Sequence, residues 1–332
     1  MQLLPNFVPV LFYNQETLVY SVYFWSILKK GNDMQKKGIA AFFARLVLSV
    51  VLVISFTPMW AFADTGGTGT AQPVAKIVNQ ESGIVTYYDD FADAFEAATN
   101  DETIIVTRDV ELTSTTVVPA GTKATLNLHG YAITAGGTFS GSSMFAVQRG
   151  ATLTIQDEGA EITKNEGKGA ISCGSNTNVT SAIELVNEGT DGATASLTVS
   201  SGSITGYTYG ISVAEALQTA DITINGGTIK GTATDASFGI YLPQGKLTLT
   251  AGTVEGATGI YTKAGTVSVP ENSTVTVKGV GTKADFAHQE SSAASTGDAF
   301  VAKNCGTAAK IEIKAGTFNC KSISCCKLCI YN

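Results

Sequence analysis

Glycoside hydrolysis needs two carboxyl groups held across one bond, one of them kept protonated near neutral pH. The adjacent pair of that kind is Asp89 and Asp90, in "YYDDFADAFEAATNDE". Asp90 stands just before Phe91, Ala94, Phe95 and Ala98, which are apolar at helical spacing, so capping of a short helix accounts for it more simply than catalysis. Elimination on an acidic polysaccharide would instead gather several Asp or Glu around calcium, with an Arg or Lys as base. Asp157, Glu158 and Glu161 are close in sequence, but no acid recurs above or below them in the repeats, and they read as a solvated turn. His129 in "NLHGY" and His288 in "DFAHQESS" have neither a nucleophile nor an acid nearby. The glycines contain no GxxxxGK[ST] phosphate cradle. Cys320, Cys325, Cys326 and Cys329 crowd the end "CKSISCCKLCIYN"; short thiolate spacing suits zinc, but two well-separated pairs are missing. No catalytic residue, metal site or cofactor is therefore assigned.

What these residues would be mounted on is more legible. Leu197, Ile222 and Leu247 are 25 residues apart, as are Val199, Ile224 and Leu249. The same period carries Gly202, Gly227 and Gly252; Ile204, Ile229 and Val254; and Gly206, Gly231 and Gly256. Within each unit apolar positions alternate with Thr, Ser, Lys or Asn, the period-2 mark of a strand buried on one face. A 25-residue repeat of such strands implies stacked units that bury each other's apolar faces. In "SLTVSSGSITGYTYGISV" the expected strands are Leu197 to Val199, Ser203 to Thr205 and Gly210 to Val213, with corners at Gly202 and Gly206 where positive φ costs least. No long 3.6-period segment separates the strands, which disfavours βαβ crossovers. Looser coils extend from "TIIVTRDVELTSTTVV" to "KIEIKAGTF", for about eight coils and a stack roughly 40 Å tall at the spacing of adjacent strands.

The Phe91 helix, then "DETIIVTRDVELTS", "LNLHGYAIT" and the Gly-rich "LTI..GGTI.G" coils, resembles the right-handed parallel β-helix repeats of bacterial surface and adhesin-like proteins, a pectate-lyase-like shape covering about Ile77 to Phe318. The expectation is an all-β right-handed parallel β-helix over residues 77–319, its N-terminal end closed by the short helix. The same scaffold carries polysaccharide lyases and glycoside hydrolases, so activity has to be argued from residues.

The ends read differently. From Met34 a basic start (Lys36, Lys37, Arg45), an apolar run from Leu46 and the small-x-small end at Ala61, Phe62 and Ala63 make a signal peptide over 34–63, cleaved after Ala63; an uncleaved membrane anchor is the rival. Residues 1–33 do not fit such a signal. Lys30 and Gly31 have codons able to spell a ribosome-binding sequence before Met34, so 1–33 are expected to be an upstream extension of the reading frame. Residues 64–76 read as a linker. The Cys-rich 320–332 breaks from the preceding texture and is expected to be an out-of-frame or truncated tail; "LPQG" at Leu242 lacks the Thr-Gly of a wall-sorting signal.

Five of the 21 basic and two of the 28 acidic residues precede residue 64, leaving 16 against 26 beyond it and a net charge of −10. With no basic patch, nucleic acid is excluded as a partner. One surface feature invites binding. In "GIYL" and "GIYT" the Ile faces inward, so Tyr241 and Tyr261 point outward on successive coils, with Tyr207 and Tyr209 on the coil before. An exposed Tyr strip would suit a sugar ring or an apolar patch on a partner; the alternative is that the rings stack on one another. The functional expectation is a non-catalytic, secreted or cell-surface, adhesin-like module presenting a rigid face to a glycan or to a host or neighbour protein, touching membrane only through its signal. A lyase or hydrolase on the same scaffold, and a stalk segment of a larger protein, are the alternatives.

Overall fold

The computed structural model describes residues 72–79, 82–98, 101–158, 169–234, 236–282, 297–303, 309–321 and 329–331. All belong to the unit Thr70–Asn332. The expected upstream extension and signal segment, most of the linker, Glu161, His288, Cys305, Cys325 and Cys326 lie outside the described residues.

Eight strands stack in parallel as a first wall: Glu102–Val106, Lys123–Asn127, Thr152–Gln156, Ala195–Val199, Ala220–Ile224, Lys246–Leu249, Thr266–Val269 and Lys310–Ile313. A second sheet bends into two further walls. They are joined by the 18-residue strand Ala132–Arg149, which pairs with Ala170–Ser172 near its start and with Ser181–Gly189 near its end. The second wall continues through Ser203–Gly206, Thr228–Gly231, Thr253–Gly256, Thr276–Gly279 and Thr317–Cys320. The third continues through Tyr209–Val213, Phe238–Leu242, Thr258–Thr262, Phe300–Lys303 and Cys329–Tyr331. Each turn of chain visits the three walls in order, which makes a right-handed parallel β-helix.

The 25-residue columns are the registers of this helix. Leu197 pairs with Ile222 and Ile222 with Leu247 on the first wall; Ile204 pairs with Ile229 and Ile229 with Val254 on the second. The third wall adds Ile211, Ile240, Ile260 and Phe300 in line. All these side chains are buried in one continuous core. At about 1.5 to 3 kcal/mol for each large aliphatic side chain, such ladders offset the ordering entropy of the chain. Corners between the second and third walls are tight enough to require glycine: a Cβ on Gly231 would lie 2.4 Å from the Phe238 carbonyl oxygen and 2.8 Å from that of Thr208. Both are backbone atoms, so no side-chain rotation relieves the clash.

A short helix, α1 (Phe91–Ala97), precedes the first parallel strand. Asp90 caps it by accepting the Asp93 N–H at 2.9 Å, and Phe91 and Phe95 set their edges against the Phe145 ring. The Asp89–Asp90 pair is thereby structural at Asp90. Two differences from expectation mark the termini of the coil stack. The first wall begins at Ala75, inside the expected linker, with Ala75–Val78 running antiparallel to both Val85–Tyr88 and Glu102–Val106. At the other end the Cys-rich stretch supplies Cys329–Tyr331, which pairs in parallel with Phe300–Lys303. No helix among the described residues is long and apolar enough to cross a membrane.

Candidate functional site

The outer face of the third wall is the place where the coil repeat departs from a plain Thr surface. On each rung, two outward positions lie three residues apart. One column reads Ser181, Tyr209, Phe238 and Thr258; the other reads Glu184, Ser212, Tyr241, Tyr261 and Val301. The glycine between the two columns is obligatory, since a Cβ on Gly239 would meet Val254 Cγ1 at 2.5 Å and the Gly259 carbonyl at 2.8 Å. Glycine there lets the wall approach its neighbour closely while Ile211, Ile240 and Ile260 face the core.

The four tyrosines do not form an exposed strip. Tyr241 is 8% exposed and Tyr261 fully buried; with Phe238 and Val301 they make a second apolar cluster, separate from the core, against which Tyr209 packs half-buried. Tyr207 packs against the main core instead. Rungs about 4.8 Å apart bring outward rings to stacking distance, and mutual burial of aromatic faces is more favourable than leaving them in water. Tyr241 lies nearly parallel to Tyr261 at 5.7 Å and Tyr209 to Phe238 at 5.6 Å, while Tyr209 and Tyr241 meet at 5.2 Å. Tyr241 and Tyr261 point outward as expected but are buried, while Tyr207 and Tyr209 keep partial exposure.

Beside this cluster the wall opens into a groove of about 490 Å³. Tyr209, Phe238 and Tyr241 form its aromatic side, and the hydroxyl residues Ser142, Thr180, Ser181, Thr208 and Ser212 much of the rest. Ser181 and Ser212, both buried, share a hydrogen bond of 2.7 Å. Two carboxylates line the groove, Glu184 and Glu215, from successive coils. Glu215 is held by three residues: Tyr241 donates its hydroxyl to Oε1, Lys263 Nζ lies 2.5 Å from the same oxygen, and Gln244 Nε2 donates to the Glu215 carbonyl at 3.0 Å. Lys263 also sits 5.7 Å from the Tyr241 ring centre.

The electrostatics of the two acids diverge. Burial pushes the Glu184 carboxyl above the usual range and the nearby Glu188 adds to this, while a Ser143 hydrogen bond works against it. For Glu215 burial also opposes the charged form, but the Lys263 and Tyr241 hydrogen bonds and the Lys263 charge outweigh it and leave the group below the usual range. Burial and the Glu215 carboxylate drive the Tyr241 hydroxyl far up, so it stays protonated and donates to Glu215. Tyr209 is raised first by burial and then by the charges of Glu215 and Glu184, so both acids act on that ring.

Other residues singled out in the sequence have structural positions. Asp157 is more than a solvated turn: Oδ1 accepts from Gly130 N at 2.7 Å and Oδ2 from Gly169 N at 2.6 Å, bracketing a corner across coils. His129 occupies a left-handed turn (φ 50°), its N–H bonded to Asn127 Oδ1 at 3.0 Å. Cys173 is buried, and the half-buried Cys320 accepts the Ala299 N–H on its sulfur at 3.4 Å. Among the described residues no three His, Cys, Asp or Glu side chains converge as metal ligands.

Glu184, Glu215, Lys263 and Phe238 escaped sequence reasoning because their proximity crosses coils: Glu215 and Lys263 are 48 residues apart. Phe238 alone had a local signal, sitting three residues before Tyr241 as Tyr209 sits three before Ser212. Neither a family model, nor a curated protein, nor a solved structure matches the chain.

Proposed function

We propose that this chain is an exported, non-catalytic surface module of adhesin-like type on a pectate-lyase-like β-helix, and that its third wall binds a glycan in the groove beside Tyr209. The observation that carries the reading is that groove: a half-exposed aromatic ring, a lining rich in hydroxyls and two carboxylate acceptors, in a volume of about 490 Å³. A pyranose has an apolar face and a polar rim, which match a Tyr ring flanked by hydroxyls and carboxylates. The cross-coil hydrogen bonds that hold Glu215 preorganise part of the acceptor set, which lowers the ordering cost of binding. The basic, apolar and small-residue segments of the signal pattern over 34–63 support export to the cell surface or beyond.

Retention on a glycan array followed by titration calorimetry tests the binding. The intact chain should retain a defined set of sugars, and Tyr209→Ala should weaken them about tenfold, the loss expected for one ring contact of roughly 1 to 1.5 kcal/mol. A Tyr209→Ala protein that binds as well as the parent would remove the groove from consideration.

One observation favours a rival. Glu184 and Glu215 share a groove while their environments push their protonation in opposite directions, which is the arrangement a glycoside hydrolase uses for its acid and its base or nucleophile. Incubation with acidic and neutral polysaccharides distinguishes the two. Reducing sugars released by the parent but not by Glu184→Gln or Glu215→Gln would replace the binding module with a hydrolase.

A further inference from the structure

We infer that the groove selects saccharides bearing a free ammonium group, with Glu184 as the counter-ion, and discriminates against acidic sugars. This deepens the glycan-binding reading and rests on it. The charged residues lining the groove are Glu184 and Glu215, both acids. Their situations differ in one respect that matters for a ligand: Glu215 is already neutralised by Lys263 at 2.5 Å, whereas Glu184 has no ion pair among the described residues and its flanking charge, Glu188, has the same sign. Glu184 faces Ser212 across the rung and Ala146 on the other side, so neither strand neighbour supplies a positive group. A half-buried carboxylate with hydroxyl neighbours and no cation is a favourable place for an ammonium, since a charge-assisted hydrogen bond there replaces water that burial has already thinned. A uronate or sialate carboxylate would meet the uncompensated Glu184 carboxylate, with the Lys263 ammonium already engaged by Glu215, and lose affinity by like-charge repulsion.

The ring and the charge divide the recognition. Tyr209 offers a face to any pyranose, neutral or charged, while Glu184 tells an amine from an N-acetyl group or a carboxylate. A basic peptide or polyamine would satisfy Glu184 but gain little from the aromatic side of the groove, and the test includes one for that reason.

Calorimetry with the full chain would use short glucosamine oligomers, their N-acetylated counterparts, galacturonate oligomers of the same length, and a short oligolysine. The expected result is about tenfold tighter binding of the amine than of the N-acetyl form, a preference that falls at high salt, and no galacturonate binding. Glu184→Gln should remove the tenfold difference between the amine and N-acetyl forms, whatever it does to the affinity the two share; Tyr209→Ala should weaken both sugars alike. Equal affinity for amine and N-acetyl forms, or a preference that survives Glu184→Gln, overturns the inference while leaving glycan binding intact. Oligolysine bound as tightly as the amino sugar and indifferent to Tyr209→Ala overturns it in favour of a peptide or polyamine site. Binding of none of the sugars overturns both the selectivity and the glycan reading.

Discussion

At the level of single residues, Glu184 carries a cost that a purely structural position would not. Its carboxyl is raised by burial and by Glu188, so the folded chain holds the proton more tightly than the unfolded one. The resulting stability is fully present below the unfolded pKa and lost as pH rises through the folded one. Glu184→Gln should therefore melt slightly higher than the parent at neutral pH and match it in acid, and thermal melts across pH check this; a variant less stable at neutral pH would show that the carboxylate supports the fold instead. Amine binding has the opposite sense. It needs the ionised form, so it should fade as pH falls through the same transition, in a setting where Ser143, Glu188, Tyr209, Glu215 and the Lys263 ammonium all bear on the groove. Tyr261 belongs to this scale too. Being fully buried, its replacement by Ala should cost about 3 to 5 kcal/mol in a denaturant titration, as for other large aromatic side chains, where an exposed ring would cost almost nothing. None of these acids was legible as a site in the sequence: Glu184 and Glu215 are brought together only once the coil register is known, and a search for acids adjacent along the chain leads to Asp89 and Asp90 instead.

Elements were far more legible, because a solenoid converts sequence period directly into contact. Leu197, Ile222 and Leu247 are related by a fixed spacing and are hydrogen-bonded neighbours for the same reason. Where the coils lose the period, the reading weakened. The strand Ala132–Arg149 passes through "TAGGTFSGSS", whose glycines resemble corners, yet it continues with register shifts against Val110–Val118 and spans two walls. The opening antiparallel pair lacks the repeat altogether, and its first strand begins two residues inside the expected linker. Corners within the periodic region, by contrast, are set by backbone contact, and this makes a sharp prediction. Gly231→Ala places its Cβ 2.4 Å from a backbone oxygen and should lower stability by about 1 to 3 kcal/mol, read from the denaturant midpoint. Because that corner leads into Phe238, which stacks on Tyr209, the same substitution should also weaken sugar binding. A stable Gly231→Ala protein with full binding would mean that the corner is looser than its geometry.

For the molecule as a whole, stability should be distributed as in a one-dimensional stack, where each coil depends on its neighbours. Charge contributes little to that distribution. On the second wall Glu255 bridges Lys230 at 2.7 Å and Lys278 at 3.5 Å, and its carboxyl is held low chiefly by the Lys230 hydrogen bond against partial burial. That stability is present above the unfolded pKa and lost as pH falls through the folded one, but the lysines are well exposed and such pairs are worth roughly 0.5 kcal/mol each. Burial therefore decides the order of opening. Between Ala195 and Thr262 the inward side chains are buried on every rung of all three walls, whereas on the last described first-wall rung Ile311 is only half-buried and Ile313 is 37% exposed. Amide hydrogen exchange should accordingly be slowest across residues 195–262 and fastest in 310–320, with the intervening rungs graded between. Tyr209, Phe238, Tyr241 and Glu215 lie in the protected region and Glu184 sits on the strand paired to its first third-wall rung, opposite Ser212, so the acids and rings of the groove would stay fixed while the later coils open. Uniform protection along the stack, or slowest exchange in 310–320, would mean that neighbour burial does not set the order, and the rigidity invoked for the groove would then need another source.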